Sequence, residues 1–335
     1  MIVLGIESSC DDTSAAVVKD GRRVLSCVVT GQDSFHEKFG GVVPEIASRR
    51  HISVIDEIVR KAVMDSGVPL GDIEGVAATC GPGLIGAILV GLNYAKGLAY
   101  SLGVPLVGVN HVEAHLFAAR LADIPPATPF VGLVVSGGHT NLYHVQAMDQ
   151  IYLLGRTVDD AAGECFDKIG KLLGLDYPAG AQIDRLAADG DGAAICFPRP
   201  MIRSGDLNFS FSGLKTAVKN YIAKLDHTPE GRELCDIAAG FSAAVVDVLI
   251  AKLLVAAKQC KVGRIVIAGG VAANGLLRDR AAKSADEHGL DLFIPSLSFC
   301  TDNAAMIAAS GTRALQSGES SPWSLNAFAS LTKGK

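Results

Sequence analysis

Paired cysteines are missing from this chain: its eight Cys, at positions 10, 27, 80, 165, 196, 235, 260 and 300, form no CxxC. That spacing argues against a zinc-finger site and offers no disulfide framework, so reduced thiols in a cytosol are expected. Aromatics are scarce at 6%, with a single Trp, and charged residues make up only 19%. An uninterrupted membrane-length run is also lacking. The most apolar stretch, IAAGFSAAVVDVLIAKLLVAA, is broken by Asp247 and Lys252, which suits a buried helix better than a membrane span. Surplus positive charge is absent too: a net charge of −5 argues against coating nucleic acid unaided, because that binding relies on Lys and Arg to neutralise phosphates. The small groups Arg49 with Arg50, and Arg278 with Arg280 and Lys283, read as solvated faces. No Walker loop, GxxxxGK followed by Ser or Thr, occurs, which excludes a P-loop NTPase. The start, MIVLGIESSCDD, has no basic segment before its apolar run, so a cytoplasmic protein with no membrane partner is expected.

What the chain has in abundance is Gly, 37 of 335 residues, on a 49% hydrophobic background, enough for a large core and two domains. Residues 2–7 (IVLGIE) and 14–18 (SAAVV) read as buried strands joined by the polar turn SSCDDT. Residues 131–135 (VGLVV), the turn SGGHT and residues 141–145 (NLYHV) repeat that plan, though strand-turn-strand is too common for the sequence alone to decide on duplication. EIASRRHISVIDEIVRKAVMDSG has helical periodicity, EGVAATCGPGLIGAILVGLNYAKGLAYSLG reads as strand, Gly-rich turn and helix, and VPLVGVN as a further strand. Strands alternating with helices predict a mainly parallel, layered α/β fold. PPATP suggests a boundary, giving lobes at 1–128 and 129–335, with a loop-rich insertion around 150–235.

GPGLIG, 81–86, matches the dinucleotide pattern GxGxxG, but the next strand ends in Asn110 and His111 instead of an acid, so it reads as a packing turn. The turns SSCDDT and SGGHT, and the segment IAGGVAAN before a helix, present small residues whose backbone N–H groups can face an anion. In NHVEAHLFAA, His111 and His115 are one helical turn apart, so both imidazoles can reach one ion. HExxH is not matched, because Val112 follows His111 and Glu113 points elsewhere around the helix. Asp302, in FCTDNAAM, is a candidate third ligand. A pair of hydrogen-bonded helix histidines is the plainer alternative. Asp11 and Asp12 suit either a phosphate or metal site or ordinary turn chemistry, and Asp167 either accepts ligand hydroxyls or caps a helix.

Taken together, GIESSCDDT, GGVVPEIASRRH, CGPGLIGAILVG, NHVEAHLFA, VVSGGHTNL, GECFDKIGKLLGL, FSFSGLKTAV, IAGGVAAN and CTDNAAMIA resemble, in family order and over nearly the whole chain, the tRNA N6-adenosine threonylcarbamoyltransferases, once described as O-sialoglycoprotein endopeptidases. The resemblance implies a duplicated, two-lobed actin, Hsp70 and sugar-kinase fold with a nucleotide cleft. It implies transfer of a threonylcarbamoyl group from threonylcarbamoyl-adenylate to the adenosine next to the anticodon, in tRNAs that read codons beginning with A. On this sequence it makes His111, His115 and Asp302 ligands of one divalent ion, iron ahead of zinc. It puts the backbone of Val134, Val135, Ser136, Gly137 and Gly138 at the phosphate, and Asp167, Gly180, Asp184 and Asn274 at the nucleoside end. Asp11 becomes the group that orients or activates the attacking amine. The implied partners are tRNA, an inactive paralogous subunit and a small ATPase. Three positions depart from the family pattern: Ala114 within HVEAH, YPAGAQ around Gly180, and Asp12 where Glu is common. A metallopeptidase and a nucleotide-dependent chaperone-like module are the alternatives.

Overall fold

A computed structural model describes residues 1–330 in two compact units, each considered by itself. The first unit is built on β1 (Ile2–Glu7), β2 (Thr13–Lys19), β3 (Arg23–Thr30), β4 (Gly75–Gly81) and β5 (Leu106–Asn110), in the order β3-β2-β1-β4-β5. Its helices are the short α1 (Asp33–His36), α2 (Pro44–Ser66), α3 (Ile85–Leu102), α4 (His111–Ala118) and α10 (Ala304–Gln316). The second unit carries β6 (Phe130–Val135), β7 (Thr140–Ala147), β8 (Gln150–Arg156), β9 (Arg264–Ala268) and β10 (Asp291–Phe293), ordered β10-β9-β6-β7-β8. Around them stand α5 (Ala162–Leu172), α6 (Gly180–Ala188), α7 (Ser212–Ile222), α8 (Gly231–Cys260) and α9 (Gly275–His288).

The two sheets have the same wiring. β1 pairs antiparallel with β2 and parallel with β4, as β6 pairs antiparallel with β7 and parallel with β9. The edge strands β3 and β8 follow the same antiparallel plan, and β5 and β10 the same parallel one. The duplication that the sequence left open is therefore present at the level of strand order and direction.

Alternation along β1 explains the layering of the first unit. Leu4 and Ile6 enter a cluster with Val54, Ile58 and Leu92 from α2 and α3, whereas Val3 enters the opposite cluster with Ala114 of α4 and Ala304 and Ile307 of α10. Small residues bring α10 against the sheet: a Cβ on Gly5 would overlap the carbonyl of Ala304, and one on Gly311 would overlap the Ala77 side chain. The expected second lobe, 129–335, is corrected here, since the described residues from Pro295 to 330 pack in the first unit. The tail stays there, with the Phe328 N–H donating to the Cys80 carbonyl at 2.8 Å and the indole of Trp323 edge-on to Tyr100 at 5.7 Å.

The region expected as a loop-rich insertion, 150–235, contributes the edge strand β8 to the second sheet and the helices α5, α6 and α7, so only the connections between them are irregular. α3 and α8 are both long and apolar enough to cross a membrane, and α8 is mostly buried in protein, as its broken apolar run anticipated.

Candidate metal centre and ligand loops

Local chemistry sets up the histidine pair. β5 ends at Asn110, whose Oδ1 accepts the N–H groups of Val112 at 3.0 Å and Glu113 at 3.3 Å, the N-cap bonds that start α4 immediately after it. His111 is the first helical residue and His115 lies one turn later, with ring centroids 5.0 Å apart. Asp302 arrives from far along the chain. Asn303, which follows it, caps α10 through the Met306 N–H at 3.0 Å, and the Ala304 N–H donates to Ser14 Oγ on β2 at 2.9 Å. The helix start is thereby tied to the sheet, and Asp302 Oδ1 stands 3.3 Å from His115 Nε2 and 3.6 Å from His111 Nε2.

These separations suit a shared cation. Ligand atoms bound at about 2.1 Å in tetrahedral geometry lie about 3.4 Å from one another. One donor atom from each of the three residues falls within 4.8 Å of the others. His115 is fully buried, and neither of its ring nitrogens has a hydrogen-bond partner among the described residues. A buried imidazole left in that condition is costly, and coordination through Nε2 relieves it. The plainer alternative, a pair of hydrogen-bonded helix histidines, describes His111 but not His115.

Charge around the site points the same way. Burial opposes protonation of His111, but Asp302 and Glu7 overcome it and push its pKa up to about 9. Burial, followed by the negative charges of Asp302, Asp11, Asp33 and Glu7, pushes Asp12 up to about 8. Acidic groups packed at this density are the arrangement that a divalent ion would stabilise. Asp11 and Asp12 are half-buried in the β1–β2 turn. That turn is held by His51, which bonds the Thr13 hydroxyl at 2.7 Å and the Cys10 carbonyl at 2.9 Å.

The Gly-rich turn after β4 is filled by protein. A Cβ on Gly83, where φ is +152°, would strike the Ser9 carbonyl, and one on Gly81 would strike the Phe328 carbonyl. The GxGxxG match is therefore a packing turn, as its missing acidic partner implied.

In the second unit, β6 runs into Ser136, Gly137 and Gly138. Val134 and Val135 are fully buried at the end of that strand, so the expected phosphate contact narrows to the three residues after them. Gly137 and Gly138 are exposed, with open space where side chains would stand. The loop is braced against α5: the Gly163 N–H donates to the Ser136 carbonyl at 3.2 Å and the Glu164 N–H to the Gly137 carbonyl at 3.1 Å. Those bonds occupy the start of α5 and leave the Gly137 and Gly138 positions open to solvent.

Asp167 lies in the middle of α5, not at its start, and accepts the Ala179 N–H at 2.9 Å, one residue before Gly180 opens α6. Asp184, one turn into α6, accepts Asn274 Nδ2 at 2.7 Å and the Gly275 N–H at 3.0 Å, while Asn274 Oδ1 caps α9 through Leu277 at 2.9 Å. Asp167 and Gly180 thus meet at the α5–α6 join, and Asp184 meets Asn274 at the start of α9. Gly180 has open space at its Cβ position, so the YPAGAQ departure leaves that surface uncovered.

The comparisons with known proteins bear on the whole chain. The family model described as TsaD, tRNA N6-adenosine threonylcarbamoyltransferase, matches residues 23–309. Proteins of that name from Geotalea uraniireducens and Anaeromyxobacter dehalogenans are 52% and 54% identical, the first covering 100% of both chains and the second 97% of both. The chain belongs to the tRNA N6-adenosine threonylcarbamoyltransferase family. Solved structures support the fold alone. Full-length HypF in its phosphate- and nucleotide-bound form matches with a TM-score of 0.62 at 15% identity, over 94% of this chain and 56% of that one. Component A of (R)-2-hydroxyglutaryl-CoA dehydratase from Acidaminococcus fermentans gives 0.57 at 16%, over 95% and 100%. This chain accordingly shares its α/β fold with those two proteins.

The family match spans the His111, His115 and Asp302 group and all the second-unit positions named above, whereas Asp11 lies before it and is covered by the full-length relatives. Ala114, at the departure from the family's HVEGH, is fully buried against α10. Two features went unnoticed in the sequence. Asp159 accepts the Phe211 N–H at 2.8 Å and the Ser212 hydroxyl at 2.7 Å, and Asp160 bridges Lys168 and Lys215, each at 2.8 Å, so FSFSGLK is pinned to the loop before α5. The other is Glu7, which read only as the last residue of an apolar strand.

Proposed function

We propose that this transferase moves the threonylcarbamoyl group of threonylcarbamoyl-adenylate to the N6 amine of the adenosine 3′-adjacent to the anticodon, in tRNAs reading codons that begin with A. In the reaction the amine attacks the activated carbonyl and loses a proton, and the carbonyl–oxygen bond to phosphate breaks to release AMP. The observation that carries the reading is the grouping of His111, His115 and Asp302 in a chain of this family. Two neutral imidazoles and a carboxylate form a donor set that suits iron, placed ahead of zinc, and that leaves coordination positions open. Such an ion supplies Lewis-acid polarisation of the threonylcarbamoyl carbonyl.

The chain's own residues divide the remaining work. The backbone of Ser136, Gly137 and Gly138 holds phosphate, where open space lets oxygens approach the N–H groups. Asp167, Gly180, Asp184 and Asn274 form the nucleoside-holding set, with Asp184 and Asn274 fixing each other's orientation. Asp11 orients the attacking amine. The peptidase and chaperone-like alternatives receive no support from the relatives, which carry the transferase name.

Partner proteins enter the same reading: an inactive paralogous subunit and a small ATPase, working with tRNA in the cytoplasm. A net charge of −5 supports assisted rather than solitary tRNA binding. The groove between α2 and α3, where Ile52 and Ile85 are exposed beside Leu89, Val90 and Tyr94, supplies apolar surface for one such protein. The test supplies the chain, its partners, the adenylate-forming enzyme, ATP, bicarbonate, labelled threonine and unmodified tRNA. Omitting this chain, or replacing it with His115→Ala, is expected to abolish label in tRNA. Undiminished labelling without it refutes the proposal.

A further inference from the structure

Glu7 has no surface exposure, and no Lys or Arg is paired with it among the described residues. Burying a carboxylate in this way is unfavourable unless donors satisfy it. Three do. Its Oε1 accepts the Ser9 N–H at 2.5 Å, and its Oε2 accepts the Thr79 hydroxyl at 2.7 Å and His111 Nδ1 at 2.9 Å. Ser9 follows β1 and Thr79 stands on β4, so the carboxylate is fixed from its own turn and from the adjacent strand.

The consequence falls on His111. A carboxylate facing Nδ1 keeps a proton on that nitrogen, so that in the neutral ring the lone pair lies on Nε2, beside Asp302 Oδ1 at 3.6 Å. Carboxylate partners of this kind orient metal-bound imidazoles and raise their basicity. His115 has no equivalent: among the described residues its Nδ1 is buried without a hydrogen-bond partner, and its Nε2 faces Asp302 Oδ1 at 3.3 Å.

We infer that Glu7 is a positioning residue for the metal centre, fixing the tautomer and ring orientation of His111 so that Nε2 is the ligating atom. The inference rests on the metal-site reading proposed above. Zn²⁺ titrated into the metal-free full chain against a chromophoric chelator gives the first readout. Wild-type protein should bind one equivalent, and Glu7→Gln, which cannot accept from all three donors, should bind about 10- to 100-fold more weakly. A merely structural Glu7 would lower the unfolding temperature of the variant while leaving Zn²⁺ affinity unchanged, and that result overturns the inference.

A second measurement needs no variant. Histidine ¹⁵N spectra of Zn²⁺-loaded wild-type protein should show His111 protonated at Nδ1 and metallated at Nε2, and the reverse assignment overturns the inference even if Glu7→Gln fails to fold. Wild-type protein that binds no Zn²⁺ or Fe²⁺ overturns the metal reading itself, and this inference with it. Tight wild-type binding with an unaffected Glu7→Gln overturns only the role of Glu7.

Discussion

Replacing His115 with Leu should stabilise the metal-free protein while abolishing its stabilisation by metal. The side chain is fully buried, and both ring nitrogens lack hydrogen-bond partners among the described residues. Each buried polar group left unpaired costs about 1–3 kcal/mol. Removing two such atoms, while giving up the attraction between His115 Nε2 and Asp302 at 3.3 Å, should leave a net gain of about 1 kcal/mol in the first unit. With metal the order reverses. Wild-type protein at a free-ion concentration 100 times its dissociation constant gains about 2.7 kcal/mol, and the variant gains little. The single Trp, Trp323, packs on Tyr100 within the first unit, so its fluorescence in urea titrations reports the relevant transition. Wild-type and His115→Leu proteins would each be unfolded with chelator and with excess Zn²⁺. If the variant is destabilised by more than 1 kcal/mol in chelator, or if wild-type protein is indifferent to Zn²⁺, the orphaned imidazole is not a ligand held ready for a cation.

Two more predictions follow from the same geometry. His111 is raised to about 9 and Asp12 to about 8, each above its unfolded value, so the stability each contributes is present at low pH and lost as pH climbs through its folded value. Metal-free protein should therefore lose stability between pH 6.5 and 9 while its affinity for Zn²⁺ rises over that range as His111 gives up its proton, both measurable by the same fluorescence titration. Gly137→Val places a side chain in open space, so unfolding should shift by less than about 0.5 kcal/mol, whereas affinity for AMP, measured calorimetrically, should fall at least tenfold; unchanged AMP binding would refute the phosphate role of that loop.

Much of the scaffold was legible because its signals are local. α2 runs from Pro44 to Ser66 and stops at Gly67 in the left-handed conformation, as its periodicity and that Gly predict. The edge strands β3 and β8 were missed, since their mostly half-buried or exposed residues show no period-two alternation to mark a buried face. Asp167 looked like a helix start because the polar residues around it hide the earlier turn of α5. Val134 and Val135 came with the phosphate loop through the family resemblance, and their complete burial at the end of β6 is a property of the sheet that no local sequence signal carries.

By itself, the sequence determined what depends on residues a few positions apart: strands, helix caps, glycine turns and the two imidazoles one turn apart on α4. Only tertiary structure decided what depends on distant segments meeting. Gly5 and Gly311 let α10 lie against the first sheet, and that contact carries Asp302 to the histidines and returns the described residues after Pro295 to the first unit. Glu7 shows the limit most plainly. A carboxylate at the end of an apolar strand has no meaning until β4 and α4 supply its donors, because hydrogen bonding depends on proximity in space, which linear order does not record.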